Sequence, residues 1–219
     1  MNELCVKAND VVRKVYVLTD ATFPESIVVE RDAKVEIVVL VMLGVSCDLK
    51  MDVRLAGEGS EANIYGAYVC GGDEKVRISV DMHHDVPHCN SRQLFKGIAG
   101  GVSRVDFYGK IIVAQDAQRT EAYQENHNIL LSDGAKVDTK PQLEIYADDV
   151  KCSHGATIGR LNEEEQFYMR SRGITLEDAK VLQMISFIAP VLENITDGSQ
   201  RESLSSQFEE SIRNIVHGN

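Results

Sequence analysis

Cys152 and His154 are the residues whose types and spacing are best suited to carry chemistry. In a β-strand, residues two apart lie on the same face, with Cα atoms roughly 7 Å apart. A thiolate and a neutral imidazole are good ligands for iron or zinc, so the pair can hold one metal ion or one edge of a cluster. Two ligands are too few for a closed site. On residue type alone, the cysteine can equally be a small buried apolar residue and the histidine a hydrogen-bonded structural one.

A second candidate for metal binding is the segment 83–89 (HHDVPHC). His88 and Cys89 are adjacent in this segment, and a tight turn at Pro87 would bring His84 close to them. The alternative interpretation is that these side chains have structural roles. The sequence leaves both interpretations open at this point.

Other residues of the kind found in enzymes occur without a recognisable catalytic arrangement. The sequence lacks a phosphate-binding loop with Lys-Ser/Thr, a Gly-x-Ser-x-Gly elbow and a His-Glu-x-x-His motif, so we expect no enzyme and no nucleotide hydrolysis. We interpret the glycine-rich residues 97–101 as a turn and His127 as a structural histidine in a polar loop or strand edge. Asp148 and Asp149 suggest sugar chemistry, but neighbours in a strand face opposite sides and make a poor catalytic pair.

Composition limits the classes of protein to be considered. A chain of 219 residues can bury one substantial core, or one core with a small appended subdomain. The formal net charge of -11 disfavours a dedicated nucleic-acid binder, which needs a basic surface. No run approaches the roughly 20 apolar residues of a membrane span, and the first residues (MNELC) do not resemble a secretion signal. Five scattered cysteines indicate reduced thiols, so we expect a cytoplasmic protein without nucleic-acid or membrane partners.

Alternating side chains predict a mainly β core between about residue 15 and residue 157. Apolar and charged residues alternate strictly at 47–55, and the same period of two recurs at 76–82 and 143–148. Loops rich in Gly, Asp and Ser separate the strands, at residues 57–60, 71–73, 100–101 and 132–134. There is no strict repeat of fixed length, so periodicity alone leaves a sandwich, a barrel and a parallel β-helix open.

After residue 157 the pattern changes to that of α-helices. Asn162 is predicted to cap a helix whose first turn, residues 163–165, is acidic, and Gly173 is predicted to end it. Thr175 is predicted to cap a second helix, which Pro190 should kink or end. The apolar residues of this second helix keep helical spacing and are Ala179, Leu182, Ile185, Ile188 and Ala189.

A last amphipathic segment follows the polar residues 194–200. Its apolar stripe consists of Leu204, Phe208, Ile212 and Ile215. Something must cover this stripe. Either it packs on the core of the chain itself, or part of the helical tail docks a partner.

Residues 139–157 (TKPQLEIYADDVKCSHGAT) resemble the signature segment of the SufB/SufD family, nearer its SufD branch. The resemblance spans roughly residues 83 to 190 and includes further motifs, at residues 107–113 (FYGKIIV), 117–124 (AQRTEAYQ), 128–132 (NILLS) and 171–174 (SRGI). Proteins of this family are scaffolds of iron-sulfur cluster assembly with β-helix cores. The resemblance therefore implies a mainly β fold, with a right-handed parallel β-helix over residues 1–159 and a small C-terminal α-helical subdomain over residues 160–219. It also implies that residues 84–96 belong to the β-helix repeat.

The resemblance further implies the role of a non-catalytic scaffold subunit in a SUF-type assembly complex. The scaffold would pair with another β-helix, either a SufB-like protein or a second copy of itself. Its helical tail would dock a SufC-like ABC ATPase, so ATP would act only through that partner. Cys152 and His154 would lie where the two protomers meet, as candidate ligands of iron or of a transient iron-sulfur cluster. The tail residues that we assign to partner binding are Tyr168, Arg172, Leu182 and Ile185.

Two differences from the family bear on these expectations. The chain resembles a short form that lacks the N-terminal helical region, and it has Lys136 near the position where SufB-type members carry a cysteine. The second difference favours a SufD-like supporting role. Two alternatives from other classes are a β-helix interaction protein that serves an ABC-type ATPase without binding a cluster, and a zinc protein that uses Cys152 and His154.

Overall fold

The computed structural model describes residues 3–18 and 23–217. Over these residues, β-strands come first and α-helices last. The strands are β1 Glu3–Val6, β2 Val11–Leu18, β3 Ser26–Val29, β4 Lys34–Val41, β5 Cys47–Leu55, β6 Glu61–Cys70, β7 Lys75–His84, β8 Asn90–Ala99, β9 Arg104–Val113, β10 Thr120–Leu130, β11 Lys136–Ile145 and β12 Val150–Gly159. The helices are α1 Glu163–Ser171, α2 Leu176–Leu192 and α3 Gly198–His217.

The strands form a parallel β-helix, because the chain alternates between two parallel sheets. Odd-numbered strands pair in the order β1-β3-β5-β7-β9-β11, and even-numbered strands in the order β12-β10-β8-β6-β4-β2. Stacked residues such as Glu121 and Lys151 are 30 residues apart, but this spacing is 23 in the first turn (Val11 and Lys34) and 32 in the last turn of the odd-numbered sheet (Arg104 and Lys136). The unequal turns explain why the sequence shows no strict repeat. The predicted mainly β fold, a parallel β-helix, is confirmed.

The interior of the β-helix changes from apolar to polar along its axis. Inward positions of β4 carry residues such as Val35 and Ile37, which are fully buried. The corresponding positions of β10 carry Gln124, Asn126 and Asn128, which are buried as well. Since burying a Val or Ile side chain contributes about 1.5–3 kcal/mol, the early turns provide more of the hydrophobic stabilisation.

The helices cover the outer face of the even-numbered sheet. Outward side chains of this sheet, including Leu40, Val69 and Ile98, form one apolar cluster with α2 and α3. The predicted stripe of α3 is buried in that cluster, so it packs on the core of the chain itself. No helix within residues 3–18 and 23–217 has both the length and the apolar character needed to cross a membrane.

Both predicted helix starts are confirmed. The Asn162 side chain accepts hydrogen bonds from the first turn of α1, at 2.9 and 3.2 Å, and Thr175 Oγ1 accepts one from the backbone N–H of Asp178 at 3.0 Å. Gly173 follows α1 with a φ of 88°, as a helix-ending glycine should. Pro190, however, lies inside α2, which continues to Leu192. A proline lacks one backbone N–H and crowds the carbonyl of the preceding turn, and the helix ends two residues after it.

Several strand boundaries differ from the sequence-based prediction. Strands begin at β1, well before residue 15, and residues 97–99 belong to β8, so only 100–101 form the predicted turn. Residues 124–128, predicted as a polar loop or strand edge, lie within β10. The alternation at 143–148 is the end of β11 followed by a turn. Glycine and amide side chains at inward positions resemble loop sequences, which explains the error in β8 and the open alternative in β10.

The cysteines have free thiols in the structure, as expected for a chain without disulfides. Burial raises the pKa of the Cys47 thiol to about 11 and that of Cys70 to about 12. Neither thiol is therefore ionised near neutral pH, and both behave as small apolar residues.

Glu74 is a buried carboxylate that holds the turns around it. Its Oε1 accepts the backbone N–H groups of Gly44 at 3.0 Å and Gly71 at 3.3 Å, and its Oε2 accepts that of Gly72 at 2.7 Å. Burial on its own raises the pKa of Glu74, but these backbone donors outweigh burial and hold the pKa below its usual value. The ionised form therefore stabilises the fold.

We expect Glu74→Gln to lower the free energy of unfolding by about 1–3 kcal/mol at pH 7. A carboxyl whose pKa is lowered by folding contributes stability above its unfolded pKa, and this contribution is lost as the pH falls through the folded pKa. The difference between wild type and variant should therefore shrink once the pH falls below about 4. Urea unfolding at pH 7 and at lower pH measures it, with the exposed Glu210→Gln as control. A difference independent of pH would contradict this account.

Candidate functional site

Cys152 and His154 lie on the inward side of the last strand of the β-helix. In β12, Cys152 stacks on Ala122 and His154 stacks on Gln124 of β10. Ala122 and Gln124 both point into the interior and are 0% and 1% exposed. Cys152 and His154 therefore occupy the same two inward positions as Ala122 and Gln124, on the next strand of the sheet.

The last turn is open, because β11 and β12 are edge strands, each paired on one side only. Cys152 is half-buried there and His154 is exposed. Burial raises the pKa of the Cys152 thiol, while the backbone N–H of Ala122 acts in the opposite direction. The thiol is protonated near neutral pH, so a metal that binds it must displace a proton.

Apolar side chains are exposed around this open end. Ile145 at the end of β11 is 39% exposed, Tyr146 directly after it 64%, and Ile158 on β12 45%. These three residues stand beside two unpaired strand edges. Edges of this kind are normally covered, because they offer free backbone N–H and C=O groups to another strand.

A buried network of amides lies directly beneath the pair. Gln124 donates from Nε2 to Gln93 Oε1 at 2.9 Å, and Asn128 donates from Nδ2 to Asn126 Oδ1 at 2.8 Å. The Tyr68 hydroxyl donates to Asn128 Oδ1. This network was not predicted, because residues 124–128 were interpreted as a polar loop or strand edge and not as a buried strand. Polar residues at every second position, with a buried strand on each side, were the signal that could have revealed it.

The segment 83–89 does not form a metal site. His84 is fully buried with Nε2 2.9 Å from Ser91 Oγ, and burial lowers its pKa to about 4. Cys89 is buried with its thiol 3.3 Å from Ser60 Oγ. Within residues 3–18 and 23–217, no group of three or more His, Cys, Asp or Glu side chains is arranged to hold a metal ion. The structural interpretation of this segment is the correct one.

His127 and the aspartate pair also have structural explanations. His127 lies on the outer face of β10, with Nδ1 2.8 Å from Thr157 Oγ1 and Nε2 3.2 Å from Glu125 Oε2. It therefore connects the edge strand β12 to its neighbour. Asp148 and Asp149 lie in the turn before β12 and not in a strand, so the reason given for rejecting them was wrong. Both are exposed.

The four predicted partner-binding residues do not form one surface. Tyr168 and Leu182, which are 60% and 43% exposed, line a groove between α1 and α2. Arg172 lies beside them, with its guanidinium over the Tyr168 ring at 5.3 Å. Ile185 faces the other way, packs against the apolar cluster under the helices and lines the groove between α2 and α3. Phe167, 74% exposed, belongs to the same region as Tyr168 but was not predicted.

Comparison with known proteins gives the family. The family model described as "SUF system FeS cluster assembly, SufBD core domain" matches residues 21–187. The chain belongs to the SufBD family.

Its relatives include the iron-sulfur cluster assembly protein SufD of Escherichia coli. The chain is 42% identical to that protein over 155 residues, which cover 71% of this chain and 37% of the relative. A SufBD family protein of Synechocystis is 47% identical over 109 residues, covering 50% and 24%. The chloroplastic protein ABCI7 of Arabidopsis thaliana is 36% identical over 151 residues, covering 68% and 32%. The chain thus spans less than half the length of these relatives.

The SufBD core match includes most of the features described above. Cys152, His154 and the groove between α1 and α2 all lie within residues 21–187. Helix α3 lies outside the matched range, although its apolar stripe completes the cluster that joins the helices to the sheet. The family assignment therefore covers the open end and the exposed groove together.

Proposed function

We propose that this SufBD family member is a non-catalytic scaffold subunit of a SUF-type iron-sulfur cluster assembly complex. The observation that carries the proposal is the inward-facing pair, Cys152 and His154, at the open last turn of the β-helix. One chain offers two ligands of the type that iron prefers, and an iron-sulfur cluster needs more. The pair is therefore half of a site, which a second protein must complete.

The proposed second protein is another β-helix that meets this one end to end. Two unpaired strand edges and the exposed side chains of Ile145, Tyr146 and Ile158 support this pairing. A partner edge would satisfy free backbone groups and cover the apolar side chains in one step. The partner is a SufB-like scaffold or a second copy of this chain, and its own residues would supply the missing ligands.

The iron-sulfur cluster is the cargo of this proposed site. Thiolate and imidazole suit iron, and their position on one face of a strand lets both reach the same cluster. This chain's residues would hold the growing cluster at the open end, beside the interior and shielded by the partner. The Cys152 thiol would lose its proton on binding, so capture should release a proton.

The helical tail is proposed to dock a SufC-like ABC ATPase. Tyr168 and Leu182 are exposed and line the groove between α1 and α2, and the Arg172 guanidinium lies over the Tyr168 ring. Phe167, the residue before Tyr168 on α1, is exposed as well. Large exposed aromatic side chains beside an arginine are typical of residues that dominate protein interfaces. ATP would act only through this partner. Ile185, packed in the opposite direction, would support the groove from behind rather than contact the ATPase.

Co-purification with the ABC ATPase of the same organism, followed by anaerobic reconstitution with iron and sulfide, tests the proposal. We expect a stable complex whose visible absorption and iron content fall at least tenfold in Cys152→Ala and in His154→Ala. Leu182→Glu should instead weaken ATPase binding about tenfold, because it places a charge in an apolar contact. The exposed Cys5→Ala serves as the matched cysteine control and should load normally.

Two outcomes would count against the proposal. Full cluster loading by the Cys152→Ala, His154→Ala double variant, with its circular dichroism spectrum unchanged, would exclude the pair as cluster ligands. Zinc in place of iron after anaerobic purification would support the zinc alternative. Both measurements use the whole chain together with its partner.

A second candidate function keeps the ATPase and omits the cluster. It is favoured by the finding that the described residues contain no group of three metal-binding side chains. In that case the β-helix would only connect the ATPase to another protein. ATPase binding without any iron, in the presence of every β-helix partner, would support it.

A further inference from the structure

Gln124 is the interior residue that lies directly next to His154. The two stack in register on neighbouring strands, β10 and β12, and both occupy inward positions. Neighbouring strands are about 4.8 Å apart, so the Gln124 side chain is within reach of the histidine ring. Gln124 is 1% exposed, whereas His154 is exposed.

The carboxamide of Gln124 is held by a hydrogen bond from its nitrogen, but its oxygen has no hydrogen-bond partner among the residues that the structure describes. Its Nε2 donates to Gln93 Oε1 at 2.9 Å, while its Oε1 is buried and has no hydrogen-bond partner. The lack of a side chain at Gly109, on the opposite sheet, leaves the room that the carboxamide occupies. A buried oxygen without a donor costs free energy, so a fixed acceptor of this kind calls for a donor.

Within the described residues, Gln93 Nε2 and Thr139 Oγ1 are buried donors without a partner as well, but neither forms a hydrogen bond with Gln124 Oε1. His154, in register on the next strand, is the neighbour that can supply this donor. Along β12, the inward residues next to His154 are Cys152 and Ala156. On β10, Asn126 is already bonded to Asn128 and to the Tyr68 hydroxyl. His154 itself makes no side-chain hydrogen bond within the described part of the chain. An unused acceptor and an unused imidazole therefore occupy adjacent positions.

We propose that Gln124 is a positioning residue for His154, whose lumen-facing ring N–H donates to Gln124 Oε1. This hydrogen bond fixes one tautomer and directs the lone pair of the other ring nitrogen outward, toward a bound metal or cluster. The inference rests on the proposed function in one respect: the outward lone pair has a role only if a metal or cluster binds there.

Nitrogen NMR of the metal-free chain, labelled with 15N-histidine, tests the inference. At about pH 8.5, where imidazoles are usually neutral, long-range proton-nitrogen correlations distinguish the two tautomers. His154→Asn identifies the signal. We expect one tautomer in the wild type, and a change of about fivefold in the tautomer ratio in Gln124→Met, which keeps the length of the side chain and removes the acceptor.

Gln93→Met is the matched control. It removes an equally buried amide from the same column, one strand further from His154, and should lower stability similarly without changing the tautomer. Equal tautomer populations in wild type and Gln124→Met would overturn the inference. A mixture of both tautomers in the wild type would also overturn it, and this measurement does not depend on the folding of any variant. The same change of tautomer ratio in Gln93→Met would overturn it as well.

Binding of Co²⁺ gives a second readout. Loss of a hydrogen bond to a metal-bound histidine typically weakens metal affinity 10–100-fold, so Gln124→Met should weaken Co²⁺ binding by that factor and Gln93→Met should not. The tautomer is measured without metal, so it remains informative if Cys152→Ala loads a cluster normally. In that case the proposed function fails while the positioning of His154 is tested separately.

Discussion

Gly97→Ala is expected to lower the free energy of unfolding by about 3 kcal/mol or more. Overpacking of a core usually costs about 1–3 kcal/mol, so this effect lies at the top of that range or above it. A Cβ at Gly97 would overlap the ring of Tyr68 on the neighbouring strand. Tyr68 is fully buried, and its hydroxyl is bonded to Asn128 and lies 3.5 Å from Asn126 Nδ2. The ring cannot move without breaking the amide network.

Urea unfolding followed by circular dichroism measures this effect. Gly155→Ala is the matched control, because Gly155 also lies in a strand of the same sheet but has nothing within 4 Å of the added Cβ. Its effect should stay within about 0.5 kcal/mol. Replacing Tyr68 by leucine in the Gly97→Ala background should recover part of the loss. Similar stabilities for the two alanine variants would contradict the packing described here.

Ile158→Lys is expected to weaken the proposed end-to-end pairing at least tenfold. Ile158 lies on the edge strand β12 and is 45% exposed, so pairing would bury it. Burying an unpaired ammonium group is far more costly than burying the sec-butyl group of isoleucine, and lysine on a strand edge is a common means of blocking strand addition. Sedimentation of the chain, alone and with a SufB-like scaffold, gives the dissociation constants.

Val102→Lys is the control for this substitution. Val102 is 63% exposed in the turn between β8 and β9, away from the free edges of the sheets. It should leave the dissociation constant unchanged. Equal effects of the two lysines would show that the association, if any, uses another surface. The folded fraction of each variant is checked first by its thermal unfolding curve.

The sequence was sufficient to predict the features that depend on local chemistry. The caps at Asn162 and Thr175 follow from single side chains and the backbone N–H groups next to them. The strand of residues 47–55 follows from alternation alone. The Cys152 and His154 spacing likewise predicted that both residues share one face of a strand.

Features that depend on the turns of the β-helix could not be predicted from residue patterns. Parallel pairing joins residues about 30 positions apart, and unequal turns hide that spacing. The amides of residues 124–128 look like a loop unless the buried columns on either side are known. Leu182 has helical apolar spacing but faces outward, because α2 buries Val181 and Met184 against the sheet instead. The open end is likewise a property of the assembled sheets.

The shift from an apolar to an amide-lined interior has a consequence for where this molecule is most easily opened. The first turns bury Val and Ile side chains, whereas most residues of β12 are exposed and this strand pairs on one side only. Stacked turns gain stability from their neighbours, so the final turn has a lower cost of local unfolding than the interior turns, which pair on both sides. The end that carries Cys152 and His154 therefore frays before the interior turns do. Any protein or metal that binds there also completes its folding, and stabilises that turn in proportion to how tightly it binds.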